Sequence, residues 1–308
     1  MKNSNQRTIT QSLLFTGTGL HSGCLTSIKL IPAPENTGIV FKRVDLKENN
    51  LVKADYKNVS STKLCTILTN SDGITVSTVE HLMASFYITG VDNVLIEIDS
   101  AEVPIMDGSS KEFVSLIKKI GLKEQFAKRN FLKIIKKIEL KDGNKFISIE
   151  PGSNSLDVKF KLEYENKIIG KQENAVSFGN SQLEDIYSSR TFCLFEDIEK
   201  IKNIGLAKGG SLQNAIVVKN NEVLNDEGLR NTKEFVNHKI LDLAGDFLLS
   251  GYRILGKVEC VQGGHQLSNL FLKEIFKNQS NYEEVTVDNI ELIEKDFKTS
   301  INKIAVNA

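Results

Sequence analysis

Glu80 and His81 stand side by side at the start of one helical pattern, and His238 and Asp242 lie four residues apart in another. Two imidazoles and a carboxylate supply three metal ligands, and Glu80 remains as a carboxylate base. The set predicts a hydrolase built on a divalent cation. Zinc (Zn2+) is the first choice, because catalytic zinc takes three ligands from His and Asp or Glu and keeps a fourth position open. Ferrous iron accepts the same donors. Coordination lowers the pKa of water but leaves a proton to be moved, and Glu80 is placed beside a ligand to move it.

The helices must deliver these groups. In residues 78–89 the apolar positions Val79, Leu82, Met83, Phe86 and Tyr87 follow helical spacing, with Ser77 as start and Gly90 as end. His81 falls almost opposite that stripe and faces whatever docks there. A second helix is expected over residues 232–250, capped by Asn231, with Glu234 in its first turn and Gly251 closing it. His238, Lys239, Asp242 and Asp246 gather on its polar face, and His238 sits one turn from Asp242.

Each feature has a plainer reading. Ser77-x-x-Glu80 is also a capping box, in which Glu80 bonds back to the cap amide. The polar face of residues 238–246 could simply be solvated. A fourth histidine adds weight: His265 ends Gln262-Gly263-Gly264-His265, after a strand-like run over residues 252–261. Its glycines suit special backbone conformations and close approach to a ligand, the alternative being an ordinary tight turn. A protonated imidazole there could stabilise an oxyanion or protonate a leaving amine.

Several motifs, in order along the chain, resemble the zinc-dependent UDP-3-O-acyl-N-acetylglucosamine deacetylases of lipid A synthesis. They are Gly17-Thr18-Gly19-Leu20-His21-Ser22-Gly23, Thr78-Val79-Glu80-His81-Leu82, Pro104-Ile105-Met106-Asp107-Gly108-Ser109, Ser189-Arg190-Thr191-Phe192, residues 225–230, residues 237–242 and Gly263-Gly264-His265. The resemblance implies that His81, His238 and Asp242 bind zinc, Glu80 is the general base and His265 is the cationic partner oriented by Asp246. It also implies that Thr191 hydrogen-bonds the scissile carbonyl, Phe192 packs on substrate and Lys239 meets the polar head. Cys65 takes a family position near the metal, though a small buried apolar role is the safer expectation for it. Two departures stand out: Cys193-Leu194 replace the usual Gly-Phe, and Met106 replaces a Leu of similar volume.

Composition is permissive. The chain has 308 residues, and Lys plus Arg equals Asp plus Glu at 39 each, so no global field favours nucleic acid or an anionic membrane. No apolar run is long enough for a membrane span, and the polar N-terminus lacks a signal-peptide core, giving the expectation of a cytoplasmic monomer acting on a small molecule, an acylated UDP-amino sugar. Cys24, Cys65, Cys193 and Cys260 form no Cys-x-x-Cys pair.

The halves of the chain echo each other. Aligning His81 with His238 matches Gly90 to Gly251, and each half runs helix, strand, turn, helix. The expected fold is α+β: two similar domains from an internal duplication, each a mostly antiparallel sheet with helices on one face, packed helix layer to helix layer. The domains are expected at residues 1–127 and 128–308, with the boundary in the charged segment 123–129 before a strand-like run over 131–140. Gly205, Gly209 and Gly210 around Lys208 match no P-loop. The resemblance instead makes residues 191–218 an insert shaping an acyl passage, with Phe192, Leu194, Phe195, Ile198, Ile201, Ile204 and Leu212 as lining. A zinc amidohydrolase without such a passage and a non-catalytic protein of the same fold are the competing expectations.

Overall fold

Alternating apolar residues in short runs build two sheets with the same plan, seen in a computed structural model that describes residues 4–179 and 182–286. The first sheet runs Leu13–Thr18, Leu25–Pro32, Val94–Ile98, Ile39–Arg43, Leu51–Lys53. Its middle strand, Val94–Ile98, is antiparallel to Leu25–Pro32 and parallel to Ile39–Arg43. The second contains Ile138–Asp142, Lys145–Glu150, Arg253–Val261, Leu156–Glu163 and Lys171–Ser177 in the corresponding order. There Arg253–Val261 is antiparallel to Lys145–Glu150 and parallel to Leu156–Glu163, so strand order and pairing sense repeat. The start of Arg253–Val261 also pairs with Phe131–Ile134, which in turn pairs with Tyr282–Val285.

The α-helices of the described residues are α1 (Glu80–Thr89), α2 (Lys111–Ile120), α3 (Glu184–Tyr187), α4 (Phe195–Asn203), α5 (Glu234–Leu248) and α6 (His265–Phe276). In each half one long helix precedes the central strand and another follows it. None of the described helices is long and apolar enough to cross a membrane. The expected α+β class and helix-to-helix layering hold, with α1 packed along α5.

Local details differ from the sequence expectations. Both α1 and α5 begin two residues later than predicted, and no side chain caps either one. The charged segment 123–129, where the domain boundary is expected, is largely strand: Leu122–Lys128 runs antiparallel to Asn5–Ile9. The run 131–140 breaks into Phe131–Ile134 and Ile138–Asp142, which join different partners. Residues 287–308 of the expected second domain, and the first three of the polar N-terminus, lie outside the described residues.

The polar faces of α1 and α5 are buried, as the metal-site reading requires and the solvated-face alternative does not. His81 is 5% exposed, and His238, Asp242 and Asp246 are 1%, 4% and 3% exposed. The face of α1 opposite its apolar stripe is covered by α5, and the polar face of α5 is covered in return. Gly245 lets the two backbones approach, since a Cβ there would stand 2.1 Å from the Glu80 carbonyl oxygen and 3.0 Å from the Ala84 nitrogen. The far end of α1 is fastened by three guanidinium groups: Arg253 donates to the Phe86 and Tyr87 carbonyls, Arg7 to Thr89 and Arg129 to Gly90. Cations complement the negative end of a helix dipole. Arg7 lies on the strand Asn5–Ile9 and Arg253 on the central strand Arg253–Val261 of the second sheet, so α1 is tied to strands from both halves of the chain. At its near end the Ser110 hydroxyl donates to the His81 carbonyl at 2.6 Å.

Gly245→Ala separates two opposing effects. Helix propensity alone favours alanine by roughly 0.5–1 kcal/mol, whereas overpacking against backbone costs about 1–3 kcal/mol. The expected outcome is a lower midpoint of chemical denaturation together with weaker metal binding. A variant more stable than the parent would contradict the close-crossing account.

Candidate metal centre and active site

Two helices meeting at a glycine bring their polar groups to one point. His81, His238 and Asp242 each offer a ligand atom, and these atoms lie within 4.8 Å of one another. Asp242 Oδ1 is 3.5 Å from His81 Nε2 and 3.4 Å from His238 Nε2. Those gaps are too long for good hydrogen bonds, and Asp242 Oδ1 is a buried oxygen with no hydrogen-bond partner. For a tetrahedral ion with bonds of about 2.0–2.1 Å, neighbouring ligand atoms stand about 3.3–3.4 Å apart. The two Asp242–histidine spacings and the orphaned oxygen both fit a cation shared by the three groups.

The protonation states agree. Burial pushes the His238 pKa down to about 3, against the pull of Asp242, so this ring is neutral at pH 7. Its Nδ1 lies 3.1 Å from the Ser189 carbonyl, which fixes the proton there and leaves the Nε2 lone pair toward Asp242. Burial would raise the Asp242 pKa, but the neighbouring His238 and Lys239 hold it well below the usual carboxylate range. Lys239 Nζ pairs with the other oxygen, Oδ2, at 3.0 Å.

Beside this trio stands a second pair. His265 Nε2 is 3.7 Å from Glu80 Oε1, and His265 Nδ1 is 2.9 Å from Asp246 Oδ2. Burial would lower the His265 pKa, but the carboxylates of Asp246 and Glu80 overcome it and push the value up to about 10. A cation at the first residue of α6 is disfavoured by the helix dipole, so these carboxylates are what keep it charged. Burial raises the Glu80 pKa, partly offset by His265 and His81. Glu80 Oε2 accepts from the Thr66 amide at 3.0 Å rather than from its own cap, which removes the capping-box reading.

Of the two glycines before His265, Gly263 serves space rather than an unusual dihedral, while Gly264 is extended with open room around it. Gln262 takes the left-handed conformation at φ 52°, and a Cβ at Gly263 would meet Cys260 Sγ at 2.3 Å. Around Lys208 the backbone amides of Lys208, Gly209 and Gly210 all bond to backbone carbonyls, so they cradle no phosphate.

The insert, residues 191–218, forms Phe192–Leu194, α4 and most of Ile216–Lys219, which pairs with Glu222–Val223 just beyond it. With the loop holding Leu20 it encloses an apolar cavity of about 350 Å³, walled by Phe192, Phe195, Ile198, Ile201 and Leu212. Leu20, Leu64, Thr191, Phe192, Cys193 and Ile201 also line the polar site, so the two spaces adjoin. Ile204 is 51% exposed and lies outside the lining. Cys193 stands at the junction, with its thiol pKa raised by burial to about 11. Cys65 is buried, lies outside the lining, and has its thiol pushed up to about 12 by burial and by Glu80, which is the behaviour of a small packed residue. Phe192 packs edge-on to Phe235 and His238, and Lys239 lies over its ring.

A profile of UDP-3-O-acyl N-acetylglycosamine deacetylases matches residues 6–277. The chain belongs to this family. A relative from Pseudoalteromonas atlantica is 41% identical over 299 residues, covering 96% of this chain and 98% of the relative. One from Mannheimia succiniciproducens is 42% identical over 295 residues, covering 95% and 96%. Both are named UDP-3-O-acyl-N-acetylglucosamine deacetylase.

In this deacetylase the motifs that carry no chemistry act as braces. Glu102 accepts from the amides of His21 and Ser22 and from the Thr78 hydroxyl, joining the first glycine loop to the entrance of α1. Asp107 pairs with Arg230 at 2.8 Å, and the Thr191 amide donates to the Gly108 carbonyl at 2.7 Å. Arg190 pairs with Glu234 at the start of α5. Sequence reasoning missed Thr66, Glu102, Tyr164 and Gly245. Of these, Tyr164 lines the polar site, and the other three position it.

The raised His265 pKa sets a pH dependence of stability. Its unfolded value is about 6.5, so the stabilisation is complete below that pH and is lost as pH rises toward about 10. The stability difference between wild type and His265→Gln, measured by denaturant titration, is expected to be largest near pH 6 and to shrink toward pH 10. A difference independent of pH would contradict the charged assignment.

Proposed function

We propose that the site hydrolyses the N-acetyl group of UDP-3-O-acyl-N-acetylglucosamine, releasing acetate and UDP-3-O-acyl-glucosamine, with zinc held by His81, His238 and Asp242. The observation that carries this reading is the orphaned Asp242 Oδ1 between two histidine nitrogens, with the Glu80–His265 pair alongside. When bound, the ion supplies Lewis acidity.

The chain's own residues do the rest. Glu80, with its raised pKa, takes a proton from water as the oxygen adds to the acetamide carbonyl carbon. Thr191 donates to the carbonyl oxygen as negative charge develops there. His265, cationic and close to Glu80, stabilises that charge and protonates the sugar nitrogen as the C–N bond breaks. Asp246 orients His265 through Nδ1. Phe192 packs on the sugar, and Lys239 meets the polar head from a cleft that it shares with Tyr164 and Lys145. The acyl chain enters the apolar cavity of the insert. The halves 1–127 and 128–308 would then be duplicated units, one bringing base and ligand, the other two ligands and acid. The reaction is placed in the cytoplasm, on a small-molecule substrate.

Chelation is expected to abolish acetate release and zinc to restore it. Glu80→Gln should retain zinc while kcat falls about 10²–10⁴-fold, the usual contribution of a general base. Full activity in that variant, or after complete metal removal, would contradict the assignment. The insert makes a separate claim: kcat/KM should rise about fourfold for each acyl methylene buried in the cavity, from ~0.8 kcal/mol per group. Ile198→Trp should flatten that series. Equal rates on acylated and unacylated UDP-N-acetylglucosamine would favour a deacetylase without an acyl passage.

A further inference from the structure

Glu80 and His265 have opposite tasks in the proposed reaction, and one residue on neither helix holds the supports of both. Thr66, 2% exposed, lies just ahead of the strand Ile67–Thr69. Its amide donates to Glu80 Oε2 at 3.0 Å, and its hydroxyl donates to Asp246 Oδ1 at 2.7 Å. The other Asp246 oxygen, Oδ2, accepts from His265 Nδ1 at 2.9 Å, and His265 Nε2 faces Glu80 Oε1 at 3.7 Å. The contacts close a ring that leaves Glu80 by one oxygen and returns to the other.

We propose that Thr66 is a positioning residue for the deacetylation, setting the relative placement of base and acid through this ring. The claim rests on the roles given above to Glu80 and His265. Asp246 is buried, and a carboxylate that accepts through both oxygens from fixed donors cannot turn about its own axis. Its Oδ2 therefore stays aimed at His265 Nδ1, which in turn aims Nε2 at the reacting atoms. The Thr66 amide engages one Glu80 oxygen and leaves Oε1 for proton transfer. Without the hydroxyl, Asp246 Oδ1 would be a buried charged acceptor lacking this donor, and the carboxylate would turn to recover one, taking the imidazole with it.

Thr66→Val removes the hydroxyl, keeps the amide and nearly keeps the shape, whereas Thr66→Ser keeps both donors. In zinc-loaded enzyme Thr66→Val is expected to lower kcat about tenfold or more, the effect of one hydrogen bond to a charged group, with little change in KM or zinc content. Thr66→Ser should stay within about threefold of wild type. In a His265→Gln background, adding Thr66→Val should change kcat little, because its effect passes through His265. In spectra of ¹⁵N-histidine-labelled protein, the Nδ1–H signal of His265 should persist in Thr66→Ser and shift or broaden in Thr66→Val.

Wild-type kcat in Thr66→Val, equal losses in Val and Ser, or an undiminished loss in the His265→Gln background would each overturn the proposal. If Thr66→Val does not fold, Thr66→Ala takes its place. Failure of both to fold while Ser folds would assign Thr66 a purely structural role and equally overturn it. Inactivity of zinc-loaded wild type on the acylated sugar nucleotide would instead sink the underlying reading of the site.

Discussion

Everything in the site depends on the contact between α1 and α5 at Gly245. Glu80 and His81 belong to the first turn of α1, and His238, Asp242 and Asp246 to α5, so no element carries the whole constellation. Only a crossing as close as glycine permits brings both histidine nitrogens within about 3.5 Å of one Asp242 oxygen. The arginines at the far end of α1 and Ser110 at the near end hold the helix in place along its axis. The braces from Glu102, Asp107 and Arg230 then carry the loops around it.

Such a crossing buries charge. Glu80, Asp242 and Asp246 are each under 5% exposed, and the cations nearest to them are His265 and Lys239. Three carboxylates against two cations leave a buried deficit of positive charge that a divalent cation can fill. The same balance separates the two histidine roles. His238, dominated by burial, is neutral and able to ligate, while His265, dominated by two carboxylates, is charged and able to donate.

The pairs that meet at the α1–α5 crossing were legible in the sequence because they are local: Glu80 beside His81, and His238 one turn from Asp242. The repeated helix–strand–helix plan was legible too, since each half returns to the same periodicity around Gly90 and Gly251. The supports were not. Thr66 and Asp246 are 180 positions apart, and Arg253 reaches a carbonyl 166 positions away, so no local pattern links them. Periodicity shows that a face is polar but cannot tell water from a partner helix, which is why residues 238–246 could pass for a solvated face. Gly245 reads as a weak point in a helix until its neighbour is known. The glycines at 263 and 264 suggest unusual dihedrals, whereas the structure uses Gly263 for room and places the left-handed residue at Gln262.

Side chains from two separate helices sharing one ion leave a distinct signature in X-ray absorption at the zinc edge. The expected spectrum shows one zinc per chain, with nitrogen and oxygen neighbours at about 2.0–2.1 Å and two imidazole signatures, one of which disappears in His81→Gln and the other in His238→Gln. A sulfur neighbour at about 2.3 Å, or an imidazole count untouched by either substitution, would contradict it.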